Sequence, residues 1–168
     1  CQLCPRHCRI PENGRGDCRV RTNVGGKLFS LVYGSPCSVH VDPIEKKPFF
    51  HVVPGSGAFS IATAGCNLHC RYCQNWQISQ IPPEETENIA LPPEDVVRQA
   101  KAHNCRSIAY TYSEPIVFYE YTCDTCALAR EQGLLNVLVT AGYIEQAPLR
   151  ELCNVAHAIK VDLKGMTD

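Results

Sequence analysis

The sequence predicts an α/β chain: a partial, TIM-type parallel (β/α) barrel, truncated after about four β/α units and preceded by a cysteine-rich N-terminal extension. Three observations carry that prediction. From Ala58 onward, short apolar runs alternate with helix-like stretches, the pattern of parallel strands joined by right-handed crossovers. Four such runs between Ala58 and Asp168 fit the roughly thirty residues per unit of a barrel of about 250 residues. Each run ends in polar residues, and active sites of such barrels gather at the C-terminal strand ends.

Residues 1–56 read as the extension and 57–168 as the core. In the extension, residues 26–34 form a strand or hairpin arm bounded by glycines. Residues 37–41 make a second short extended piece. Asp42-Pro43-Ile44-Glu45-Lys46-Lys47-Pro48 reads as a solvated turn of mixed charge. In the core, the first strand covers residues 58–63, and an acidic, proline-rich connector fills 81–87.

Pro92-Pro93-Glu94-Asp95 opens a helix, since proline suits the first turn and carboxylates favour the positive end of the macrodipole. Val96, Val97, Ala100 and Ala102 mark its buried stripe, and it ends near Asn104. The second strand is 107–112, followed by Ser113-Glu114-Pro115 and a long helix to about Glu131, stopped by Gly133. The third strand is 134–140, and Ala141-Gly142 turns into a short helix over 144–154. The fourth strand covers 158–163, and the chain stops soon after it. Half a barrel leaves an unpaired parallel edge, so we expect a fragment whose remaining units lie beyond Asp168.

Composition narrows the function. The 168 residues suit about one domain, and a formal charge of -1 gives no electrostatic case for nucleic acid or an anionic membrane. No apolar run approaches the ~18 residues of a membrane span, and no signal-peptide pattern is present. Seven of the twelve cysteines fall into two short-spaced groups. That distribution points to metal ligation in a reducing cytoplasm rather than to disulfides.

The first group is Cys1-x2-Cys4-x3-Cys8, completed by Cys18 after a turn-rich stretch. Four thiolates separated by Gly and Pro suit a closed site, either zinc or a second iron–sulfur cluster. The second group, Cys66-x3-Cys70-x2-Cys73, follows the first strand directly. Three thiolates would leave one iron of a [4Fe–4S] cluster without a protein ligand, and an open coordination position is a place for chemistry. Cys123-x2-Cys126, Cys105 and Cys153 read as buried thiols in or beside helices, and Cys37 as a small buried hydrophobe. The six histidines are scattered, and none is expected to be catalytic.

The loop Ala64-Gly65-Cys66-Asn67-Leu68-His69-Cys70-Arg71-Tyr72-Cys73, with an aromatic before the third cysteine, resembles the cluster loop of radical S-adenosylmethionine (SAM) enzymes. The resemblance implies a barrel of the radical SAM type and a [4Fe–4S] cluster on Cys66, Cys70 and Cys73. The free iron of that cluster chelates SAM, and one electron splits SAM into methionine and a 5′-deoxyadenosyl radical. It also implies a reductant such as flavodoxin or ferredoxin. Tyr112-Ser113-Glu114-Pro115 resembles the family's Gly-Gly-Glu-Pro element, which holds the SAM amino group, although Ser113 and Glu114 also read as a helix N-terminus.

Asp162-Leu163-Lys164 is similar to an element of glycyl-radical-enzyme activases in which Lys pairs with the methionine carboxylate and Asp helps hold a monovalent cation. On residues alone it also reads as an exposed ion pair. Thr140 is a further SAM-contact candidate, with Ala141 where the family carries Asn. The resemblance implies Tyr72 beside the adenine, while on residues alone it also reads as a core aromatic beside the cluster. Over most of the chain, Cys1–Cys18, Asp42–Pro48 and Cys73-Gln74-Asn75-Trp76 resemble the AmmeMemoRadiSam-system radical SAM enzymes. That group is similar to pyruvate formate-lyase activating enzymes, which abstract hydrogen from a partner protein. The rival expectation is a non-catalytic electron-transfer or metal-binding module, with a fourth protein ligand at each centre.

Overall fold

The computed structural model describes residues 1–165. Its frame is a five-stranded sheet with the order β3 (Ser38–Pro43), β4 (Gly57–Ala62), β5 (Ser107–Tyr110), β6 (Leu135–Thr140) and β7 (Ala158–Val161), preceded in the chain by a separate hairpin of β1 (Arg21–Val24) and β2 (Lys27–Ser30). The pairs from β4 to β7 are parallel, whereas β3 lies antiparallel along the whole of β4, Ser38 opposite Ala62 and Pro43 opposite Gly57. The expected extended piece at 37–41 is therefore a full edge strand of the main sheet. Gly25 and Gly26, both at positive φ (61° and 77°), make the two-residue turn of the hairpin.

Three helices cross over between the parallel strands: α2 (Pro93–Ala102), α3 (Tyr119–Glu131) and α4 (Gln146–Val155), while α1 (Trp76–Ser79) is one turn behind the cysteine loop. Strand alternation explains where the core sits. Phe59 and Ile61 of β4, Ile108 and Tyr110 of β5 and Leu138 of β6 face the helices, meeting Val96, Val97 and Ala100 of α2, Tyr121, Cys126 and Ala129 of α3, and Leu152 of α4. The opposite face carries the small Ala58 and Ala109 with Val137, covered by Ile44 and Phe49.

Asn136 is a polar residue buried in the sheet, and its amide is satisfied. It donates to the Cys126 carbonyl at 2.8 Å and accepts from the Tyr110 hydroxyl at 3.3 Å.

Several expectations are corrected. Ala102 is exposed, because α2 turns it away from the sheet two positions after its last buried residue, Ala100. Cys153 is exposed on the outer face of α4, whereas Cys105 and Cys126 are buried. The second strand stops at Tyr110, because Tyr112 takes a positive φ of 61° that no strand accommodates. The long helix starts only at Tyr119, capped by no side chain. Ser113 is not a helix cap: its hydroxyl donates to the Thr63 carbonyl at 2.8 Å and ties the end of β5 to the end of β4.

Candidate active site

The cysteine loop leaves β4 through Thr63 and Ala64, both buried. Gly65 then adopts φ +87°, and a Cβ at that position would stand 2.4 Å from the Cys18 carbonyl oxygen and 2.6 Å from Val20 Cγ1. Only glycine permits both the backbone turn and this close approach. The Gly65 N–H donates to the Ile78 carbonyl at 2.9 Å, so α1 supports the loop from behind.

Cys66, Cys70 and Cys73 are free, half-buried thiols. The Leu68 N–H donates to Cys66 Sγ at 3.4 Å, and Ser79 Oγ lies 3.2 Å from Cys73 Sγ. Burial pushes the Cys66 thiol up to about 12, with the charge of Glu114 and the other two cysteines adding to it against the Leu68 N–H. A metal relieves this cost, since coordination deprotonates a thiol outright. Among the described residues no three His, Cys, Asp or Glu side chains close on a single ion. The three thiols instead line one cavity of about 710 Å³, of the size that takes a cofactor-sized ligand.

The same cavity is lined by Tyr72, Ser113, Glu114, Thr140, Asp162 and Lys164. Parallel β4, β5, β6 and β7 deliver these residues from their C-terminal ends, so residues nearly a hundred positions apart share one wall. Glu114 is buried, at 4% exposure, and its carboxylate is engaged on three sides. It accepts from Thr140 Oγ1 at 2.5 Å, from the Ala141 N–H at 2.8 Å and from the Ile116 N–H at 3.3 Å. Burial raises its pKa, while these donors and Lys164 oppose the rise. Lys164 Nζ donates to Asp162 Oδ2 at 3.0 Å, and Lys160 pairs with the other oxygen. Tyr72 is 65% exposed, and its hydroxyl donates to the Lys164 carbonyl, joining the cysteine loop to the end of β7.

The far wall of the cavity was not expected. Lys46, Lys47 and Tyr112 line it, and the stretch read as a solvated turn is in part a buried ion cluster. Asp42 is 6% and Lys47 2% exposed. Lys47 Nζ lies 2.6 Å from Asp42 Oδ2 and Lys46 Nζ 2.7 Å from Asp42 Oδ1, while the Tyr112 hydroxyl donates to the same carboxylate.

Burial alone would raise the Asp42 carboxyl, but its three donors outweigh it and hold the group well below the usual carboxylate range. The Lys47 ammonium also sits 3.9 Å from the centroid of the Tyr112 ring, a cation–π contact. Asn75 Nδ2 donates to the Tyr112 carbonyl at 2.9 Å. Together these contacts hold Tyr112 in the left-handed region, directly before Ser113 and Glu114. The available signal was the run Asp42–Pro48 itself, in which Lys46 follows Asp42 at i+4 and Lys47 comes next.

Cys1, Cys4, Cys8 and Cys18 surround a second, smaller cavity together with Arg21 and Asn67. His69, given no role from the sequence, bridges the two groups: its ring nitrogens lie 2.9 Å from Asp17 Oδ2 and 3.0 Å from Gln80 Oε1. Among the described residues no helix is long and apolar enough to cross a membrane.

The chain is similar to known proteins. The family model of the radical SAM superfamily matches residues 60–168. An uncharacterised protein of Methanocaldococcus jannaschii is 48% identical over 168 residues, which is 100% of this chain and 50% of that protein. A Haemophilus influenzae protein, proposed to be a glycyl-radical enzyme activating enzyme, is 26% identical over 121 residues, covering 70% of this chain and 45% of the relative. The chain thus spans about half the length of the curated relatives it matches.

Proposed function

Because the chain belongs to the radical SAM superfamily, matched over residues 60–168, we propose that it forms the cluster- and SAM-binding part of an enzyme that abstracts hydrogen from its substrate. Cys66, Cys70 and Cys73 are the residues that would hold a [4Fe–4S] cluster. When bound, cluster and SAM supply a 5′-deoxyadenosyl radical at the expense of one electron. The chain's own residues bind and orient. Glu114, its carboxylate fixed by Thr140 and Ala141, supplies negative charge for the SAM amino group. Lys164 supplies a mobile point charge for the methionine carboxylate. Asp162, between Lys160 and Lys164, holds that lysine and is the ligand for a monovalent cation. Tyr72 closes the adenine side.

The single observation that carries this reading is the convergence of all these residues on one cavity with the three thiols. It supports a catalytic centre over a closed electron-transfer module, because a cofactor-sized space adjoins the thiols. We assign the chain to the AmmeMemoRadiSam-system type on its Cys1–Cys18 and Asp42–Pro48 stretches. A residue of a partner protein is the substrate class suggested by the relative proposed to activate a glycyl-radical enzyme. A flavodoxin or ferredoxin is the expected reductant. The test uses the full-length protein, reconstituted with iron and sulfide under anaerobic conditions and mixed with dithionite and SAM. Formation of 5′-deoxyadenosine is expected, and its loss in the Cys70→Ser variant. A protein that carries the cluster and yields no product sinks the reading.

A further inference from the structure

The four N-terminal cysteines form a built site. Cys4 is buried and Cys1, Cys8 and Cys18 are half-buried, all as free thiols facing one small cavity with apolar walls from Leu3, Ile10, Ile116 and Val117. Two features go beyond the cysteines. Arg21, 6% exposed, places a guanidinium at the same cavity and is anchored from behind by both oxygens of Glu120 at 2.8 Å. Asn67, 1% exposed and adjacent to Cys66, also lines the cavity, and its Oδ1 is buried without a partner among the described residues.

The four thiols border one cavity without closing on a single ion. Four thiols in an apolar pocket beside a buried cation are nonetheless the donor set of an anionic metal–tetrathiolate, whose negative charge the guanidinium would offset. The strand-poor segment around them buries little apolar surface of its own, and a bound metal can supply that folding energy. We propose that Cys1, Cys4, Cys8 and Cys18 hold a closed, four-thiolate metal centre that braces the Cys66–Cys73 loop from outside the five-stranded sheet. The bracing contact is direct: the Cys18 carbonyl packs against Gly65, one residue before Cys66. Arg6 Nε donates to the Asn67 carbonyl at 3.0 Å from the same segment. With all four positions taken by protein, this centre has no place for substrate and is structural.

The proposal stands independently of the radical chemistry. Full-length protein is purified with Cys66, Cys70 and Cys73 changed together to Ser, and zinc, iron and acid-labile sulfide are measured. Retention of about one zinc, or of about four irons with as many sulfides, is expected per chain. Either result supports the centre and identifies its occupant. A protein holding neither, before and after reconstitution, overturns it.

A second variant, Cys4→Ser with Cys8→Ser, should lose that metal and also shift the visible absorption of the Cys66–Cys73 cluster. Unchanged metal content there overturns the ligand assignment. Should the triple variant fail to fold, X-ray absorption on the wild-type protein gives the same answer. Four sulfur neighbours around zinc, or iron well above four per chain, supports the centre; zinc-free protein with four irons or fewer refutes it.

Discussion

Asp42 receives hydrogen bonds from Lys46, Lys47 and Tyr112, and its carboxyl titrates well below the usual range despite burial. A carboxyl lowered in the folded state contributes stability that is present above its unfolded value of about 3.9 and lost as pH falls toward the folded one. Asp42→Asn should therefore flatten the loss of stability below about pH 4. At neutral pH it should cost about 3–5 kcal/mol, because it strands the buried Lys47 ammonium. Urea denaturation at pH 7 and pH 3 reads both effects, and parallel pH dependence in the two proteins would contradict the assignment.

Glu114 makes the companion case. Glu114→Ala leaves the Thr140 hydroxyl and the Ala141 and Ile116 N–H groups unpaired, at about 1–3 kcal/mol each. Glu114→Gln keeps one acceptor oxygen and should fold, while weakening SAM binding at least tenfold by isothermal titration of the reconstituted protein. Glu114 was legible because it follows an apolar strand. Asp42 and Lys47 were not, since a charged turn buries itself only when a partner 70 residues away, Tyr112, closes over it.

Elements show the same division. β4, β5 and β6 are largely buried on both faces, so their mainly apolar runs announce buried parallel strands. β3 has exposed positions at His40 and Val41, a half-wet pattern that reads only as a short extended piece until its pairing with β4 is seen. The start of α3 was misplaced for another reason: Ser113 has the chemistry of a cap, but its hydroxyl is taken by the neighbouring strand.

The junction after β4 gives a sharp test. Gly65→Ala places a methyl 2.4 Å from a backbone oxygen at φ +87°. It should cost more than about 3 kcal/mol and loosen the cysteine loop. Gly25→Ala, at φ +61° with open space around it, should cost only about 1 kcal/mol. Thermal melts of the two variants separate them, and equal losses would mean that Cys18 does not press on the loop.

Over the whole molecule, the strand order carries the site, since only a parallel sheet brings four successive strand ends to one cavity. That much followed from the alternation of apolar and helical runs. The far wall did not, because its lysines, Lys46 and Lys47, come from the segment preceding the first parallel strand. The outer edge of β7 pairs with no strand among the described residues, and Val161 and Leu163 beside it are 60% and 75% exposed. An open apolar edge invites pairing with another chain. The 168-residue chain should therefore self-associate with rising concentration, and Val161→Lys should reduce this in sedimentation experiments. Association that is insensitive to Val161 would place the sticky surface elsewhere.

β3 has one more consequence. It occupies, residue for residue from Ser38 to Pro43, the flank of β4 that the last member of an all-parallel ring would need. The parallel run is thereby anchored at β4 and opens only toward β7, like a fan held at one hinge.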